Sequence, residues 1–167
     1  SVIGSGGKTS LLTKLSQEVR GTVILTTSTH ILPFPNIPLL ENPTLTEVSD
    51  ALITHHVICV GSFSSEKHKL GSSALSAQEL ASVADYVFVE ADGSKRLPLK
   101  AHASHEPVIL EGTQRTIQVI GLSGFGLPIH QAVHRSEIFC NWASCLPDDI
   151  ATPTRIATVI AAEHASG

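Results

Sequence analysis

A glycine-rich loop near the start of the chain constrains its fold more than any other feature. The segment Gly4-Ser5-Gly6-Gly7-Lys8-Thr9-Ser10 directly follows two β-branched residues and directly precedes an apolar pattern of helical spacing. Glycines allow successive backbone N–H groups to point at one anion, and the N-terminus of the following helix adds its dipole. Lys8 can reach the β- and γ-phosphates of a nucleotide, and the Thr9 hydroxyl can bind Mg²⁺. The sequence therefore predicts a strand, a phosphate-binding loop and a helix, in that order.

The loop departs at one position from the common pattern G-x-x-x-x-G-K-[ST]. That pattern has a glycine six residues before its lysine, where this chain has Val2. The alternative is a glycine-rich turn with a surface lysine. The context favours phosphate binding, because Val2 is typical of a strand and because Leu12, Leu15 and Val19 recur at helical spacing after the loop.

Composition excludes several classes of function. The chain has 167 residues, of which 42% are hydrophobic and 16% charged, and this suits a globular domain with a sizeable core. A net charge of −4 without a basic run excludes nucleic acid as the main partner. No apolar stretch approaches the length of a membrane span, and no signal-peptide pattern is present. The three cysteines are an odd number, so we expect a reducing cytoplasm rather than a disulfide framework.

Two oddities concern the ends of the chain. It contains no methionine, and it opens at Ser1 almost inside a strand. We therefore expect a single domain over residues 1–167 that is incomplete at one or both ends.

Strand and helix signals alternate along the chain. Apolar strands are predicted over residues 22–27, 56–61, 86–90 and 115–121, with a short edge strand over 37–40. Helices are predicted after the glycine loop, over 45–53, from the capping box at Ser76 to about residue 84, and over 154–164. Near-continuous apolar strands separated by helices indicate an α/β fold of three layers with a mainly parallel sheet. The carboxyl ends of the strands then share one edge, where ligands bind.

One of these strands ends in two carboxylates. The segment Val87-Phe88-Val89-Glu90-Ala91-Asp92-Gly93 has the layout in which an acid holds Mg²⁺ or orients an attacking water. Asp-Gly is also a common turn pair, so a surface turn is the alternative. Two carboxylates after so apolar a strand favour Mg²⁺ binding. We predict that the catalytic residues are Lys8, Glu90 and Asp92, and that the metal ligands are Thr9, Glu90 and Asp92.

Further polar residues fall at the same predicted edge. The hydroxyl run at residues 26–29 can bind phosphate or Mg²⁺-bound water, or can satisfy local backbone groups. Basic residues beyond Asp92 can stabilise phosphoryl charge or hold an anionic substrate, although a solvated surface role explains each of them equally well. The candidates for substrate contact are Thr27, Thr29, His30, Lys95, Arg96 and Arg135.

Three weaker patterns complete the survey. His102 and His105 have the spacing of zinc ligands but lack a third ligand nearby. Cys140 and Cys145 lack a partner pair, and we interpret them as core or partly buried thiols. The glycines of residues 121–126 are typical of a loop that approaches a ligand closely.

These segments, in this order, resemble the YqeC family, described as accessory proteins of selenium-dependent molybdenum hydroxylases. The matching segments are residues 2–9, 25–30, 84–100, 105–109 and 133–137. The resemblance implies a cytoplasmic P-loop NTPase that uses Mg²⁺ with ATP or GTP. It also implies a molybdenum hydroxylase or a cofactor-maturation protein as partner. Family members run further at the C-terminus.

Three hypotheses about function remain open at this point. The first is an NTP-hydrolysing accessory factor in selenium or molybdenum cofactor maturation. The second is a small-molecule kinase that holds an anionic acceptor with Lys95, Arg96 and Arg135. The third is a nucleotide-sensing or client-binding module that binds nucleotide without turnover.

Overall fold

The computed structural model describes residues 1–64 and 68–166, which form nine strands, six α-helices and a short 3₁₀ helix. Their contacts divide the chain into two compact units. Unit 1 comprises residues 1–3, 8–93 and 108–117, and unit 2 comprises residues 4–7, 94–107 and the chain from 118 onward. The single domain expected over residues 1–167 stays a prediction.

Seven of the nine strands belong to one mainly parallel sheet. In chain order the strands are β1 (Val2–Gly4), β2 (Val23–Thr27), β3 (Leu39–Glu41), β4 (Val57–Ser64), β5 (Lys69–Gly71), β6 (Tyr86–Glu90), β7 (Leu99–Lys100), β8 (Ile117–Val119) and β9 (Val133–His134). The order in the large sheet is β3-β4-β2-β6-β1-β8, with β5 beside β4. The pairs β1–β6, β2–β6, β2–β4 and β3–β4 are parallel, and β4–β5 is antiparallel.

Helices cover both faces of this sheet, so the predicted α/β fold class is confirmed. The helices are α1 (Lys8–Glu18), α2 (Leu45–Thr54), α3 (Ala77–Val83), α4 (Ile129–Ala132), α5 (Ser136–Ala143) and α6 (Pro153–Ser166), with the 3₁₀ helix at Leu122–Gly124. The predicted capping box of Ser76 and Glu79 opens α3, and a second box of Thr44 and Glu47 opens α2. Each box satisfies backbone N–H groups that the first helical turn leaves without partners.

The core of unit 1 lies between the sheet and the helices α2 and α3. Every residue of β2 is buried, as expected for a central strand with helices on both faces. The packed apolar residues are Val48 and Leu52 of α2, Leu80 of α3, Ile24 of β2, and Ile58 and Val60 of β4.

The core of unit 2 is built around a small parallel sheet. β7 pairs with β9, with Leu99 opposite Val133 and Lys100 opposite His134. Leu99 and Val133 pack in an apolar cluster with Phe139 of α5 and with residues of α6. Because successive side chains of a strand point to opposite faces, Lys100 and His134 share the other face of this sheet.

Some predicted boundaries were wrong. The edge strand lies over Leu39–Glu41 rather than 37–40, and the last predicted strand is shorter, over Ile117–Val119. β4 continues to Ser64 because its end pairs with the antiparallel strand β5. The sequence analysis missed β5, β7, β9 and α5. Strands of two or three residues carry no readable periodicity, and only their tertiary partners define them.

Among residues 1–64 and 68–166, none of the helices combines the length and the apolar character that crossing a membrane requires.

Candidate functional site

Three buried charged side chains of unit 1 and one half-buried hydroxyl form a cluster, which we call the lysine–carboxylate cluster. Lys8 Nζ lies 3.0 Å from Asp92 Oδ1 and 3.6 Å from Glu90 Oε1. The Thr9 hydroxyl donates a hydrogen bond of 2.8 Å to Glu90 Oε2. The side chains of Lys8, Glu90 and Asp92 are 3%, 7% and 0% exposed. The structure therefore brings together the four residues predicted as catalytic or metal-binding, and the alternative of a surface lysine is wrong.

The parallel pairing of β1 with β6 places these residues. Val2 lies opposite Glu90 in the register, and the Ala91 N–H donates to the Val2 carbonyl oxygen at 3.0 Å. Glu90 therefore ends its strand beside β1, while Lys8 is the first residue of the helix that follows β1 along the chain. Glu90 and Lys8 therefore lie at the edge of the sheet where ligands commonly bind in parallel α/β proteins.

Burial dominates the electrostatics of Glu90. It raises the pKa of Glu90 above its ordinary value, and the nearby Asp92 carboxylate adds to this rise. The charge of Lys8 and the hydrogen bond from Thr9 lower the pKa of Glu90 but do not cancel the effect of burial. A buried carboxyl with a raised pKa beside a second charged group is typical of functional sites.

Three glycines of the loop have positive φ angles. Gly4, Gly6 and Gly7 have φ values of 88°, 81° and 130°, a region that favours glycine. A Cβ on Gly6 would lie 2.8 Å from both the Pro98 carbonyl oxygen and the Gly121 nitrogen. Both the close packing and the φ angle therefore require a glycine at position 6. Gly121, the first residue of the second glycine segment, packs directly against this loop.

Ser5 anchors the loop within unit 2. Its N–H donates to the Val119 carbonyl oxygen at 2.9 Å, and its hydroxyl donates to the Leu97 carbonyl oxygen at 2.6 Å. The structure thus gives Ser5 a role in holding the loop backbone, whereas the sequence had suggested a direct role in binding phosphate.

The hydroxyl run after β2 bonds largely to the backbone. The Thr26 hydroxyl donates to Val60 O at 2.8 Å, and the Thr27 hydroxyl donates to Glu90 O at 2.7 Å. The Thr29 N–H donates to the Thr27 hydroxyl oxygen at 3.1 Å. His30 lies beside Gly71 in β5. These contacts match the alternative that the hydroxyls satisfy local backbone groups, although Thr27 does contact the main chain of Glu90.

A second ionic group lies in unit 2, where Glu106 accepts bonds from two cations. Lys100 Nζ lies 2.6 Å from Glu106 Oε2, and Arg135 donates to the same oxygen. Burial raises the pKa of Glu106, but the bonds from Arg135 and Lys100 outweigh it and lower the pKa overall. Burial first, and then the charges of Arg135, Lys100 and Lys95, lower the pKa of His134. The sequence analysis predicted Arg135 as a site residue but did not predict Glu106. The basic residues that precede Glu106 in the sequence were the one indication that it could form ion pairs.

The remaining predicted residues differ in exposure and in bonding partners. Lys95 and Arg96 are exposed, with left-handed φ values of 48° and 63°. The His102 N–H and its Nδ1 bond to the two oxygens of Glu163 at 2.6 and 2.8 Å, while His105 is exposed. Within the described parts of the chain, no three His, Cys, Asp or Glu side chains are grouped to hold a metal ion, and this includes the two histidines with zinc spacing.

The fold and the cluster define the class: an α/β protein with a mainly parallel sheet, whose buried lysine and carboxylates meet where β6 ends and α1 begins. The chain belongs to the YqeC family, because the family model described as "YqeC protein" matches residues 1–137. The resemblance inferred from the sequence is thus confirmed.

A curated relative supports this assignment. "Uncharacterized protein YqeC" of Escherichia coli (strain K12) is 31% identical over 157 residues, which cover 89% of this chain and 61% of the relative. The chain therefore spans less than two thirds of the length of the curated relative it matches. No solved structure matches the chain.

Proposed function

We propose that the chain binds ATP or GTP together with Mg²⁺ and hydrolyses the nucleotide as a cytoplasmic accessory factor. The observation that carries this proposal is the lysine–carboxylate cluster. Lys8 is buried at the first position of α1, directly after a glycine loop, within ion-pair distance of Glu90 and Asp92. Fully buried lysines and acids are rare in proteins unless they are paired, and such groups concentrate at functional sites.

The charges of the cluster complement a magnesium–nucleotide complex. One ammonium group and two carboxylates meet in a volume almost closed to solvent. A triphosphate supplies anionic oxygens for the lysine, and a divalent cation supplies a partner for the acids. On binding, Lys8 can exchange the carboxylates for phosphate oxygens, and the carboxylates can exchange Lys8 for the metal ion. No buried charge is then left without a partner of opposite charge.

The oxygen-bearing residues of the cluster fit Mg²⁺. The ion prefers hard oxygen ligands and is commonly held by one or two carboxylates together with substrate phosphates. The Thr9 hydroxyl and the carboxylates of Glu90 and Asp92 would hold it, and the bond from Thr9 to Glu90 already brings two of these groups together. When bound, the ion neutralises charge on the phosphate oxygens.

The residues of the cluster divide the remaining tasks. Lys8 binds the β- and γ-phosphates and stabilises the charge that develops on them. Glu90, whose pKa is raised by burial, is a stronger base than an ordinary carboxylate and is suited to accept a proton from water. Before the nucleotide binds, Asp92 holds the Lys8 ammonium in place through their 3.0 Å ion pair. The positive φ values of Gly4, Gly6 and Gly7 support the loop conformation that points backbone N–H groups at phosphate.

Phosphate release from ATP and from GTP, measured with and without Mg²⁺, tests the proposal. We expect Lys8→Ala to lower hydrolysis by about 100-fold or more, the loss typical of removing a charge-stabilising group. Lys14→Ala is the matched control, since Lys14 lies on the same helix with a 68% exposed side chain paired to Glu18. Hydrolysis by the parent chain that does not exceed the Lys8→Ala level, even with a molybdenum hydroxylase present, would refute the proposal. Tight nucleotide binding without turnover would instead favour the sensing module.

The role in selenium or molybdenum cofactor maturation is proposed from family membership. A molybdenum hydroxylase or a cofactor-maturation protein is the partner that this role requires. Co-purification of a molybdenum hydroxylase with the parent chain, and its weakening in Lys8→Ala when nucleotide is present, tests the link. Equal capture by both chains would separate partner binding from nucleotide binding.

A small-molecule kinase is the second candidate, and the ionic group of unit 2 favours it. Lys100 and Arg135 share one carboxylate, so they form a cationic group that suits an anionic acceptor. Following labelled phosphate into an organic product, rather than into free phosphate, distinguishes this candidate from hydrolysis. An Arg135→Ala variant should then raise the KM for the acceptor and leave nucleotide affinity unchanged.

A further inference from the structure

Two cysteines of unit 2 lie side by side at the end of α5. Ser144, just beyond the helix, has the left-handed values φ 50° and ψ 52°. The N–H groups of Ser144 and Cys145 both donate to the carbonyl oxygen of Cys140, the latter at 3.1 Å. In helix ends of this type, the two residues joined by the outer hydrogen bond, here Cys140 and Cys145, frequently have side chains in contact. Here both side chains are thiols.

The two thiols differ in exposure. Cys140 is buried in the apolar cluster of unit 2, and the half-buried Cys145 packs against the same cluster. Burial, followed by a hydrogen bond between the two thiols, raises the pKa of Cys140 to about 11. Cys140 is therefore protonated at neutral pH, and Cys145 is the sulfur that a reagent in solution reaches first.

We propose that Cys140 and Cys145 form a redox modification site that closes reversibly into a disulfide. A disulfide requires Cα atoms about 4.4–6.8 Å apart. The 3.1 Å hydrogen bond from the Cys145 N–H to the Cys140 carbonyl oxygen keeps the two backbones close, and the two thiols are within hydrogen-bond reach of each other. The site is independent of the proposed nucleotide chemistry, because none of its groups belongs to the lysine–carboxylate cluster.

The oxidant is a small-molecule disulfide such as oxidised glutathione. The Cys145 thiolate attacks one sulfur of this disulfide, which breaks the S–S bond, forms a mixed disulfide and releases one thiol. Cys140 then loses its proton and attacks the Cys145 sulfur, which releases the second thiol. Two protein thiols are oxidised, and the small disulfide is reduced to two thiols that carry the two protons. Excess reduced glutathione reverses both steps.

A metal site is a poorer explanation of this pair. A structural zinc needs four ligands drawn from Cys, His and acids. In the portion of the chain that the structure covers, no group of three such side chains is placed to hold a metal ion. Two adjacent thiols of unequal exposure fit a dithiol–disulfide pair, with one attacking and one resolving cysteine.

The third cysteine and the tryptophan of the chain supply internal controls. Cys59 lies 2% exposed in β4, and burial raises its pKa to about 12, so it should not react in the folded protein. Trp142 is the single tryptophan of the chain and lies between the two cysteines in sequence, with 42% of its surface exposed. Its fluorescence therefore reports on this end of α5.

The experiment equilibrates the full chain with oxidised glutathione, alkylates the remaining thiols, and measures intact mass and peptide masses. We expect a loss of about 2 Da, the mass of two hydrogen atoms, together with a peptide linked through Cys140 and Cys145. Cys59 alone should remain alkylatable after denaturation, and Trp142 fluorescence should change in parallel and recover on reduction.

Variants decide the outcome. Cys145→Ser should abolish the mass loss, and its more exposed position makes this change tolerable if Cys140→Ser disturbs the core. Cys59→Ser should leave the mass loss intact. The proposal is overturned if excess oxidant leaves all thiols of the folded chain reduced. It is also overturned if Cys145 retains a stable glutathione adduct without ring closure, or if the linked peptides contain Cys59.

Discussion

Lys8 and Asp92 form a buried ion pair, with 3.0 Å between Nζ and Oδ1, that joins the first residue of α1 to the segment after β6. The pair connects two parts of unit 1 that lie more than eighty residues apart in sequence. A buried charge strongly destabilises a protein unless a group of opposite charge is paired with it. The pair therefore couples the stability of unit 1 to the integrity of the proposed nucleotide site.

Removing the lysine should expose this coupling. We expect Lys8→Met to lower the free energy of unfolding of the nucleotide-free chain by about 3–5 kcal/mol, because two carboxylates then remain buried without their cation. Urea denaturation followed by circular dichroism measures the loss. Adding Asp92→Asn to this variant should restore part of the stability. Lys14→Met, on the exposed face of the same helix, should leave the curve unchanged; an equally stable Lys8→Met would contradict the coupling.

Glu90 should make stability fall as the pH rises. Its folded-state pKa is raised above the ordinary value of 4.5, mainly by burial. The stability that it contributes is therefore fully present below pH 4.5 and is lost as the pH rises through the folded-state pKa. Relative to Glu90→Gln, the parent chain should lose stability between acidic and neutral pH. Urea midpoints for both chains over that range test this, and a difference that is constant or grows with pH would refute the raised pKa.

Glu106 should show the opposite dependence. Although burial acts against it, the bonds from Arg135 and Lys100 bring its folded-state pKa below the ordinary value of 4.5. Its contribution is therefore present above pH 4.5 and is lost as the pH falls through the lowered pKa.

Glu106→Gln provides the measurement for that group. At neutral pH we expect a loss of about 2 kcal/mol in the free energy of unfolding, since hydrogen bonds to a charged acceptor are weakened. The difference between the variant and the parent should shrink as the pH falls below 4.5. Glu111→Gln, an exposed acid, is a suitable control. A difference that persists unchanged into strong acid would show that the charge of Glu106 is not the cause.

The glycine loop should be sensitive to a single methyl group. Gly4 has φ 88°, and a Cβ there would meet the main chain of Val119. Gly112 has φ 81°, with open space around the same position. Gly112→Ala should therefore cost only the conformational penalty of about 1–2 kcal/mol, whereas Gly4→Ala should cost clearly more. Denaturation curves of the two variants separate conformation from packing, and equal losses would contradict the close approach at Gly4.

The lysine–carboxylate cluster was predictable because local patterns specify both of its halves. The glycine run before Lys8 indicates where a helix begins after a strand, and the apolar run before Glu90 indicates where another strand ends. Parallel strands then bring such ends to one edge, whatever the details of packing. The same reasoning did not reveal that Thr27 bonds to the main chain of Glu90, since a hydroxyl at a strand end has many equivalent acceptors.

Other features were invisible in the sequence because they depend on contacts between distant segments. Glu106 gains its role from Arg135, which lies 29 residues away. The strands β7 and β9 are each two residues long, and they are strands only because they pair with each other. The pairing of Cys140 with Cys145 is local, but it depends on the left-handed conformation of Ser144, which a non-glycine residue does not announce in the sequence.

The sequence by itself determined the alternation of strands and helices, the family, and the identity of the charged groups at the sheet edge. Periodicity, capping and glycine spacing can be read from the sequence because each depends only on residues that are close together in the chain. The tertiary structure alone decided that Lys8 is buried between two acids, and that Arg135 and Lys100 share Glu106. Burial and the choice of partner set the energies of charged and reactive groups, and both arise only when distant parts of the chain pack together.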